Sequence, residues 1–408
     1  MNVVSVRGIA TGGDGVGRLP DGMTVFVPRT APGDVVEVTV TERHRRWARG
    51  RALRVVEPGP DRATPGCPHY DADECGGCQL QHLTMDAQAA AKQGIVRDVL
   101  VRVGGRTVEL PPLATAPSPW RYRSKVSLAM GGGRLGFHRY DRPGEVFEVK
   151  DCLVAVPALM ALLESVRAAR SGIPAGATHV VLRLDRAGGR HVVVRGGEPP
   201  WDAAGFATAI RGADLTIWWE PDGGAVRAVT GDAGAYPALA FQQVNPPVAD
   251  RIRRDAVAWL AAEPGGVGWD LYGGVGEAAR LMAGAGARVW SVDADRSAVA
   301  WAERQPVDGQ AVPTFLAGRV EEVLHRLPAP DAVLLNPPRQ GADRRVTAIL
   351  ERLRTGGHVR RLAYVSCDPA TLARDVARLP GFTLQSLAAH DMFPQTAHVE
   401  TLALLEAA

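Results

Sequence analysis

The chain has 408 residues, of which 46% are hydrophobic and 22% charged, and its formal net charge is +3 at pH 7. This length predicts two or three domains, and so mild a charge does not by itself indicate a nucleic-acid partner. The first residues lack the charged start and apolar block of a signal peptide, and no run approaches the roughly 18 apolar residues of a membrane span. We therefore expect a cytoplasmic, monomeric protein with no membrane partner.

Residues 1–57 consist of short strand-like runs separated by glycine-rich turns, which predicts a small β-barrel. Residues 43–54 contain six arginines and no acid. Such a stripe predicts sequence-independent attraction to a nucleic-acid backbone, and a solvated strand face explains it equally well. The proline- and glycine-rich stretch 57–66 predicts a linker.

Four of the five cysteines follow this linker at metal-ligand spacing. Cys67, Cys75 and Cys78 are close together in the chain, and Cys152 comes much later. In a cytosolic protein, clustered thiols hold metals more often than they form disulfides. The pattern suits zinc and an iron–sulphur cluster alike, because tetrahedral thiolate ligands bind both. Free buried thiols are the structural alternative.

Residues 67–235 predict a mixed region of helices and strands. The predicted elements are helices near 86–103 and 157–170 and strands at 124–130, 179–185 and 190–195. The segment WRYRSKV (120–126) interleaves aromatic and basic residues. That combination suits base stacking and phosphate contact, and it is also typical of an amphipathic strand.

From about residue 240 helices and strands alternate, which predicts a doubly wound, mostly parallel sheet. The predicted elements are a helix near 246–262, a strand at 267–272, a helix at 277–284, a strand at 288–293, strands in DAVLLNPP and RLAYVSC, and a helix in TLARDVARL. The strand at 267–272 enters a turn with Gly273, Gly274 and Gly276, and Asp293 ends the next strand. Glycines that let the backbone approach a ligand, followed by a carboxylate for ribose hydroxyls, predict an adenosine-containing cofactor.

A stiff loop follows the strand in DAVLLNPP, at the edge where α/β sheets bind ligands. Its residues are Asn336, Pro337, Pro338 and Arg339. The Asn-Pro-Pro turn resembles a loop of class I methyltransferases that act on bases. Enzymes that methylate exocyclic amines usually have an aromatic residue where Arg339 stands. S-adenosylmethionine is therefore favoured over a dinucleotide as the cofactor, and a ring carbon is favoured over an exocyclic amine as the methylated atom.

The fifth cysteine, Cys367, lies where a predicted strand meets a helix that Pro369 suits at its first turn. Methylation of uracil carbon-5 needs a thiolate that adds to carbon-6 and a base that later removes the carbon-5 proton. Glu400, an acid in an apolar strand-like stretch, is the candidate base. We expect the helix dipole to lower the pKa of Cys367 from roughly 8.5. A buried structural thiol and an edge-strand charge are the alternatives.

Five motifs together resemble the class I S-adenosylmethionine-dependent RNA (uracil-5)-methyltransferase family. They are FQQVN (241–245), DLYGGVG (270–276), NPPR (336–339), SCDPATLARD (366–375) and DMFPQTAHVE (391–400). Residues 1–57 resemble a TRAM domain, and the four clustered cysteines resemble the family's [4Fe–4S] site. The resemblance implies a TRAM RNA-binding β-barrel over 1–57, a central α+β domain with the cysteine site over 58–238, and a Rossmann-like methyltransferase domain over 239–408.

The resemblance also implies a role for each candidate residue. Cys367 would be the nucleophile, Glu400 the base, and Phe241 a neighbour of the target uracil. The S-adenosylmethionine contacts would be Gln243, Tyr272, Gly274, Gly276, Asp293 and Asn336. The cluster ligands would be Cys67, Cys75, Cys78 and Cys152.

A TRAM segment together with four cysteines resembles the family members that act on 23S rRNA more than the bacterial tRNA enzymes, and archaeal-type tRNA enzymes share it. The chain departs from the family at Gly273, commonly Cys, at Asn336, commonly Asp, at Glu277, commonly a small hydroxyl residue, and at Asp368, usually Asn. Two rival functions stay open, an RNA cytosine-5 methyltransferase and a non-catalytic iron–sulphur RNA-binding protein.

Overall fold

Three β-sheets organise the chain. The computed structural model describes residues 2–103, 109–210, 215–232, 234, 236–261, 265–306 and 311–408. Within these ranges no helix combines the length and apolar character needed to cross a bilayer. The cytoplasmic location stays a prediction.

The first sheet confirms the small β-structure predicted near the amino terminus. Its strands are β1 (Asn2–Ser5), β2 (Gly8–Ile9), β3 (Gly15–Arg18), β4 (Thr24–Val27), β5 (Val35–Arg43) and β6 (Trp47–Glu57). They lie side by side in the order β1-β5-β6-β4-β3-β2. Val36 and Val38 alternate along β5 with more exposed residues and pack on Val25 in the core, as the two-residue period of a strand requires.

Two helices and a second sheet follow. The elements are α1 (Pro68–Ala72), α2 (Met85–Arg102), β7 (Lys125–Gly131), β8 (Arg134–His138), β9 (Val146–Glu148), α3 (Pro157–Ala168), β10 (Ala177–Leu184), β11 (Arg190–Gly196), α4 (Ala203–Ala209), β12 (Leu215–Glu220) and β13 (Arg227–Thr230). The strand order is β13-β12-β11-β10-β7-β8-β9. Leu159 and Leu163 of α3 pack on Val180 and Val192 of this sheet, so the mixed helix-and-strand prediction for this region is confirmed.

The third sheet is doubly wound, as predicted. Its elements are α5 (Pro246–Leu260), β14 (Val267–Leu271), α6 (Glu277–Gly284), β15 (Arg288–Asp293), α7 (Arg296–Arg304), β16 (Thr314–Ala317), α8 (Val320–Val323), β17 (Ala332–Leu335), α9 (Arg344–Thr355), β18 (Arg361–Ser366), α10 (Pro369–Ala377), β19 (Phe382–His390) and β20 (Glu400–Ala407). The strand order is β16-β15-β14-β17-β18-β20-β19. Residue 262, the predicted end of α5, lies outside the described residues.

The topology of this sheet places its functional edge. Strands β14 to β18 are parallel, and the strand order reverses between β14 and β17, which is where open α/β sheets bind ligands. Strand β20 runs antiparallel to β18. The start of β20 therefore lies at the same edge as the end of β18.

Helix α2 packs on the third sheet although it comes early in the chain. Its residues Val96 and Leu100 share a core with Leu372 and Val376 of α10. The three domain boundaries stay a prediction, and this helix ties the predicted central region to the predicted catalytic one.

Candidate active site

A cleft opens at the carboxyl ends of β14 and β17. Four of the predicted cofactor residues line it, namely Gln243, Tyr272, Gly274 and Asn336. Tyr272 has a φ of +62°, a conformation that costs a non-glycine residue energy and is concentrated at ligand sites. The structure therefore brings most of the predicted cofactor residues together.

The remaining two predicted residues support the loop that forms the cleft. An Asp293 Oδ2 accepts a hydrogen bond from the Gly274 amide at 2.8 Å, and burial raises the pKa of Asp293. Gly276 begins α6 with a φ of +71°, and a side chain there would collide with the ring of Phe315. A side chain at Gly273 would likewise collide with Ser291, so glycine at this position has a packing reason.

Asp270, which the sequence reasoning missed, is fully buried and lines the same cleft. Its Oδ2 accepts hydrogen bonds from the Ala279 amide and the Ser291 hydroxyl, at 3.1 and 3.2 Å. Its Oδ1 has no partner among the described residues, and burial raises the pKa of Asp270 to about 6. An unpartnered buried oxygen at a cleft suits a hydrogen-bonding ligand. The detectable signal was an acid inside the apolar strand VGWDL.

Glu277 lies beside this cleft in an ion-pair network. Its carboxylate pairs with Arg253 at 2.8 Å and also with Arg186. Arg186 belongs to the turn between β10 and β11, so the network joins the second sheet to the cofactor helix α6. This contact gives the unusual glutamate a structural role.

Cys367 and Glu400 lie on neighbouring strands at this edge. Ser366, the last residue of β18, pairs with Thr401 of β20, and the Thr401 hydroxyl donates to the Ser366 carbonyl at 2.9 Å. Cys367 follows Ser366 and Glu400 precedes Thr401, so the two residues face each other across the antiparallel pair. Cα atoms at facing antiparallel positions are roughly 4.5–5.5 Å apart. The two predicted catalytic residues are thus brought together.

Glu400 is buried and carries a shifted pKa. Burial raises its pKa to about 8, against the opposing influence of a Gln243 hydrogen bond and the charge of Arg339. The Gln243 side-chain amide donates to Glu400 Oε1 at 3.3 Å. Since Gln243 also lines the cofactor cleft, it connects that cleft to the candidate base.

The pKa of Cys367 differs from our expectation. It is raised, first by burial of the thiol and then by the charge of Glu400, while Arg339 lowers it. The prediction of a net lowering by the helix dipole is therefore wrong, because burial outweighs it. Arg339 is a cation beside the thiol whose role the sequence reasoning did not assign. Asp368 caps α10 by accepting from the Ala370 and Thr371 amides, a task that asparagine performs equally well.

The four clustered cysteines surround one cavity of about 240 Å³. Burial raises the pKa of Cys75 to about 11 and that of Cys78 to about 12. Arg123 lines the same cavity, and its buried Nε has no hydrogen-bond partner among the described residues. Within the described part of the chain, no three Cys, His, Asp or Glu side chains form a ready site for a single metal ion. The four thiols and this unsatisfied cationic donor share one cavity.

Two segments were predicted to contact RNA, residues 43–54 and 120–126, and acidic side chains neutralise part of their positive charge. Arginines of β5 and β6 pair with acids of the first sheet and its loops and of the cysteine segment: Arg43 with Asp21, Arg49 with Asp14, Arg51 with Glu74 and Arg54 with Glu37. In the WRYRSKV segment Tyr122 is buried, and Arg121 pairs with Asp151 at 2.7 Å. Base stacking by Tyr122 is therefore excluded. The amphipathic-strand alternative holds for Lys125 and Val126 alone, which begin β7, while residues 120–124 lie outside the strand.

Comparison with known proteins gives two family matches. The TRAM domain family matches residues 3–53, and the tRNA (Uracil-5-)-methyltransferase family matches residues 319–408. Among curated proteins, the chain is 33% identical to the 23S rRNA (uracil(1939)-C(5))-methyltransferase RlmD of Chromohalobacter salexigens, over 98% of this chain and 88% of that protein. It is 31% identical to the protein of the same name from Thiobacillus denitrificans, over 99% of both.

A solved structure has the same fold. It is the tRNA (uracil-54, C5)-methyltransferase of Pyrococcus abyssi in complex with S-adenosyl-L-homocysteine, with a TM-score of 0.71 and 24% identity. The superposition covers 99% of this chain and 100% of that one. The likeness confirms the predicted fold over the whole chain.

Proposed function

The chain belongs to the RNA uracil-C5 methyltransferase family, and from this premise we propose that it methylates carbon-5 of one uridine in RNA, with S-adenosylmethionine as methyl donor and 23S rRNA as the favoured substrate. The proposed organisation is a TRAM domain over 1–57, a central domain over 58–238 and a catalytic domain over 239–408. Transfer RNA is the alternative substrate. Membership of this family argues against both alternative functions, an RNA cytosine-5 methyltransferase and a non-catalytic iron–sulphur RNA-binding protein.

One observation carries the proposal: a thiol and a buried carboxylic acid meet beside the cofactor cleft. Cys367 follows β18, Glu400 begins β20, and Gln243 bonds Glu400 while lining the cleft. Carbon-5 methylation of uracil needs one nucleophile and one base on the same ring. This pair supplies both.

The residues divide the reaction into two steps. In the first, the Cys367 thiolate adds to uracil carbon-6, and carbon-5 of the resulting enolate takes up the methyl group while the bond from that methyl to the donor sulphur breaks and leaves a neutral thioether. In the second, Glu400 removes the carbon-5 proton, the electrons of that C–H bond form the C5=C6 double bond, and the C6–S bond breaks to return the thiolate. Arg339 favours the thiolate. The target uridine must leave its stack to reach Cys367, and Phe241, 64% exposed at the cleft, is placed to contact it.

S-adenosylmethionine, when bound, supplies an electrophilic methyl group on a sulphonium. The residues proposed to hold it are Gln243, Tyr272, Gly274 and Asn336 in the cleft, with Gly276 and Asp293 supporting the loop. The free Oδ1 of Asp270 adds an acceptor.

The proposal is tested by giving the purified protein unmodified 23S rRNA and tRNA transcripts with tritium-labelled S-adenosylmethionine. We expect 5-methyluridine at a single position in the rRNA, identified by mass spectrometry of nuclease fragments. Label in tRNA alone would move the substrate to the alternative. Label in cytosine, or none in either RNA with the metal site intact, would overturn the proposal.

The methylation rate is expected to rise with pH between about 6.5 and 8.5. Glu400, with a pKa raised to about 8, is mostly protonated at pH 7, and the Cys367 thiol is also held in its neutral form. The reaction needs both groups ionised, so raising the pH increases the active fraction. The measurement is kcat/KM for RNA across this range, with RNA binding measured in parallel as the control. A flat or falling profile would contradict the assignment.

We also propose that Cys67, Cys75, Cys78 and Cys152 hold a [4Fe–4S] cluster. A single zinc ion keeps its sulphur ligands about 2.3 Å away, whereas the cavity of about 240 Å³ has room for several atoms. The cation Arg123 at its wall suits the negative charge of four thiolates. Zinc stays the alternative.

Replacing Cys78 with serine is expected to remove most of the iron and sulphide and to lower the melting temperature. Cys78 is buried in the same hydrophobic cluster as Tyr70 and Tyr122. Losing the bond between Cys78 and the metal should therefore loosen the packing of this cluster. Anaerobic purification followed by iron, sulphide and zinc analysis makes the measurement. Cys367→Ser is the matched control, since its thiol lies outside the cavity. Full zinc occupancy of the wild-type protein would decide for the alternative.

A further inference from the structure

The segment 391–399, between β19 and β20, leads directly to Glu400 and is packed inside the protein. Asp391, Met392, Gln395 and Val399 in it are all buried. It contains neither helix nor strand, so no hydrogen-bond ladder of its own fixes its path. Its position therefore depends on contacts with the residues around it.

Helix α2 supplies two of these side chains. Lys92, with no exposed surface, donates to Asp391 Oδ1 at 2.5 Å and to the Phe393 carbonyl at 3.0 Å. Gln88 exchanges two hydrogen bonds with Gln395: its side-chain amide donates to Gln395 Oε1 at 3.0 Å, and its Oε1 accepts from the Gln395 backbone amide at 3.1 Å. One face of α2 thus holds both ends of the five-residue stretch 391–395, which precedes the base.

Residues next to the cysteine cavity supply further contacts. The Leu80 amide, two residues after Cys78, donates to the Gln395 carbonyl at 3.0 Å. The Tyr122 hydroxyl donates to the Pro394 carbonyl at 3.0 Å, and Tyr122 packs with Cys67 and Cys78. The same segment is therefore bound from two sides by parts of the chain that precede the catalytic sheet.

The two catalytic residues are consequently held by different parts of the molecule. Cys367 follows the central strand β18, whose neighbours on both sides are strands. Glu400 is the first residue of β20 and pairs with His390 of β19, and the chain reaches it through the segment 391–399 that these contacts hold. Loss of the contacts to 391–399 should displace the base and leave the nucleophile and the cofactor cleft in place.

We infer that Lys92 and Gln88 are positioning residues for Glu400, and that removing them slows proton removal from carbon-5 more than it slows thiol addition. This rests on the proposed function. The second step is the one affected: the carbon-5 proton goes to Glu400, its bonding electrons form the C5=C6 double bond, and Cys367 leaves. Slowing this step alone makes the methylated covalent adduct accumulate.

The test compares variants on an unmodified 23S rRNA transcript with tritium-labelled S-adenosylmethionine. Denaturing gels give the protein–RNA adduct, and nuclease digestion gives released 5-methyluridine. Glu400→Gln defines the fully stalled ratio of adduct to product. Arg102→Met is the matched control, because Arg102 forms an exposed ion pair with Asp98 on the same helix, α2.

For Lys92→Met we expect the ratio of adduct to product to rise at least about tenfold, with wild-type affinity for S-adenosylhomocysteine. Arg102→Met should keep the wild-type ratio. If Lys92→Met is insoluble or fails to bind S-adenosylhomocysteine, Gln88→Leu is judged by the same ratio.

Product loss without a rise in adduct, or an unchanged ratio, would overturn the inference, since a general loss of structure slows both steps. If Glu400→Gln itself traps no adduct while the wild-type protein methylates uridine, the assignment of the base fails and this inference fails with it. If the wild-type protein methylates no RNA, the proposed function fails first.

Discussion

Replacing Cys367 with alanine is expected to abolish methylation and covalent capture of RNA together. Among the described residues, the Cys367 thiol beside the cleft is the candidate for addition to carbon-6, and without addition carbon-5 of uracil does not attack a methyl sulphonium. Loss of a catalytic nucleophile commonly costs on the order of 10⁶ in rate, so we expect activity to fall by at least about 10⁴-fold. Labelled methyl transfer and adduct formation with RNA containing 5-fluorouridine are the two measurements.

The same experiment separates the rival functions. Fluorine at carbon-5 cannot be removed as a proton, so the wild-type protein should remain bound to 5-fluorouridine RNA and should leave 5-fluorocytidine RNA unmodified. Capture of the cytidine analogue would favour cytosine methylation. Cys367→Ala should bind S-adenosylhomocysteine as the wild-type protein does, because Asn336 and Tyr272 in the cofactor cleft do not depend on this thiol. Its metal content should also be unchanged, because the thiol lies outside the cysteine cavity. An adduct formed by Cys367→Ala would contradict the assignment of the nucleophile.

Much of this arrangement could be predicted from the sequence because its signals are local. The glycine turn at Gly273, the stiff Asn336-Pro337 loop and the strand end at Cys367 each depend on a few adjacent residues. Parallel strands then bring their carboxyl ends to one edge of the sheet. The four cysteines were likewise grouped by spacing alone.

Other features depend on contacts between distant segments and left no local signal. The arginine stripe of residues 43–54 looked unpaired because its acids lie elsewhere in the chain: Asp21 is in the turn between β3 and β4, and Glu74 is in the cysteine segment. Lys92 is an ordinary helix residue in the sequence, and only the fold places it against Asp391. The raised pKa of Cys367 comes from burial and from Glu400 across the strand pair. The prediction of a lowered pKa considered only the helix that follows Cys367 in the sequence.

Cys367 and Glu400 also oppose each other's ionisation. The charge of Glu400 raises the pKa of Cys367, and Glu400 is buried while Cys367 is partly buried. Arg339 acts in the opposite direction on both. The free enzyme therefore keeps both groups largely neutral at pH 7. A negative charge on Glu400 disfavours the thiolate, which fits a mechanism that uses the thiolate first and the carboxylate second.

Glu400→Gln is expected to stop the reaction after methyl transfer. Glutamine keeps the size of the side chain and its hydrogen bond to Gln243, but it cannot accept the carbon-5 proton. Thiol addition does not need Glu400, so the methylated RNA should stay attached to Cys367. We expect turnover to fall by about 10³-fold or more, in the range of lost general-base catalysis, while a stoichiometric adduct forms on ordinary RNA. Denaturing gels of the tritium-labelled complex make the measurement.

The same substitution should also change the pH dependence of stability. The pKa of Glu400, about 8 in the folded protein, lies above its ordinary value of 4.5, so the folded state binds more protons than the unfolded state between these values. Stability contributed by the protonated form is fully present below about 4.5 and is lost as the pH rises through 8. Glu400→Gln, which cannot ionise, should therefore melt higher than wild type at pH 9, and this advantage should shrink toward pH 5. The matched control is Glu406→Gln on the same strand, because the Glu406 carboxylate is 42% exposed beside Arg361. This variant should show no such pH-dependent gain in melting temperature. An unaltered melting temperature of Glu400→Gln at pH 9, together with free turnover, would show that Glu400 is neither buried as an acid nor the base of the reaction.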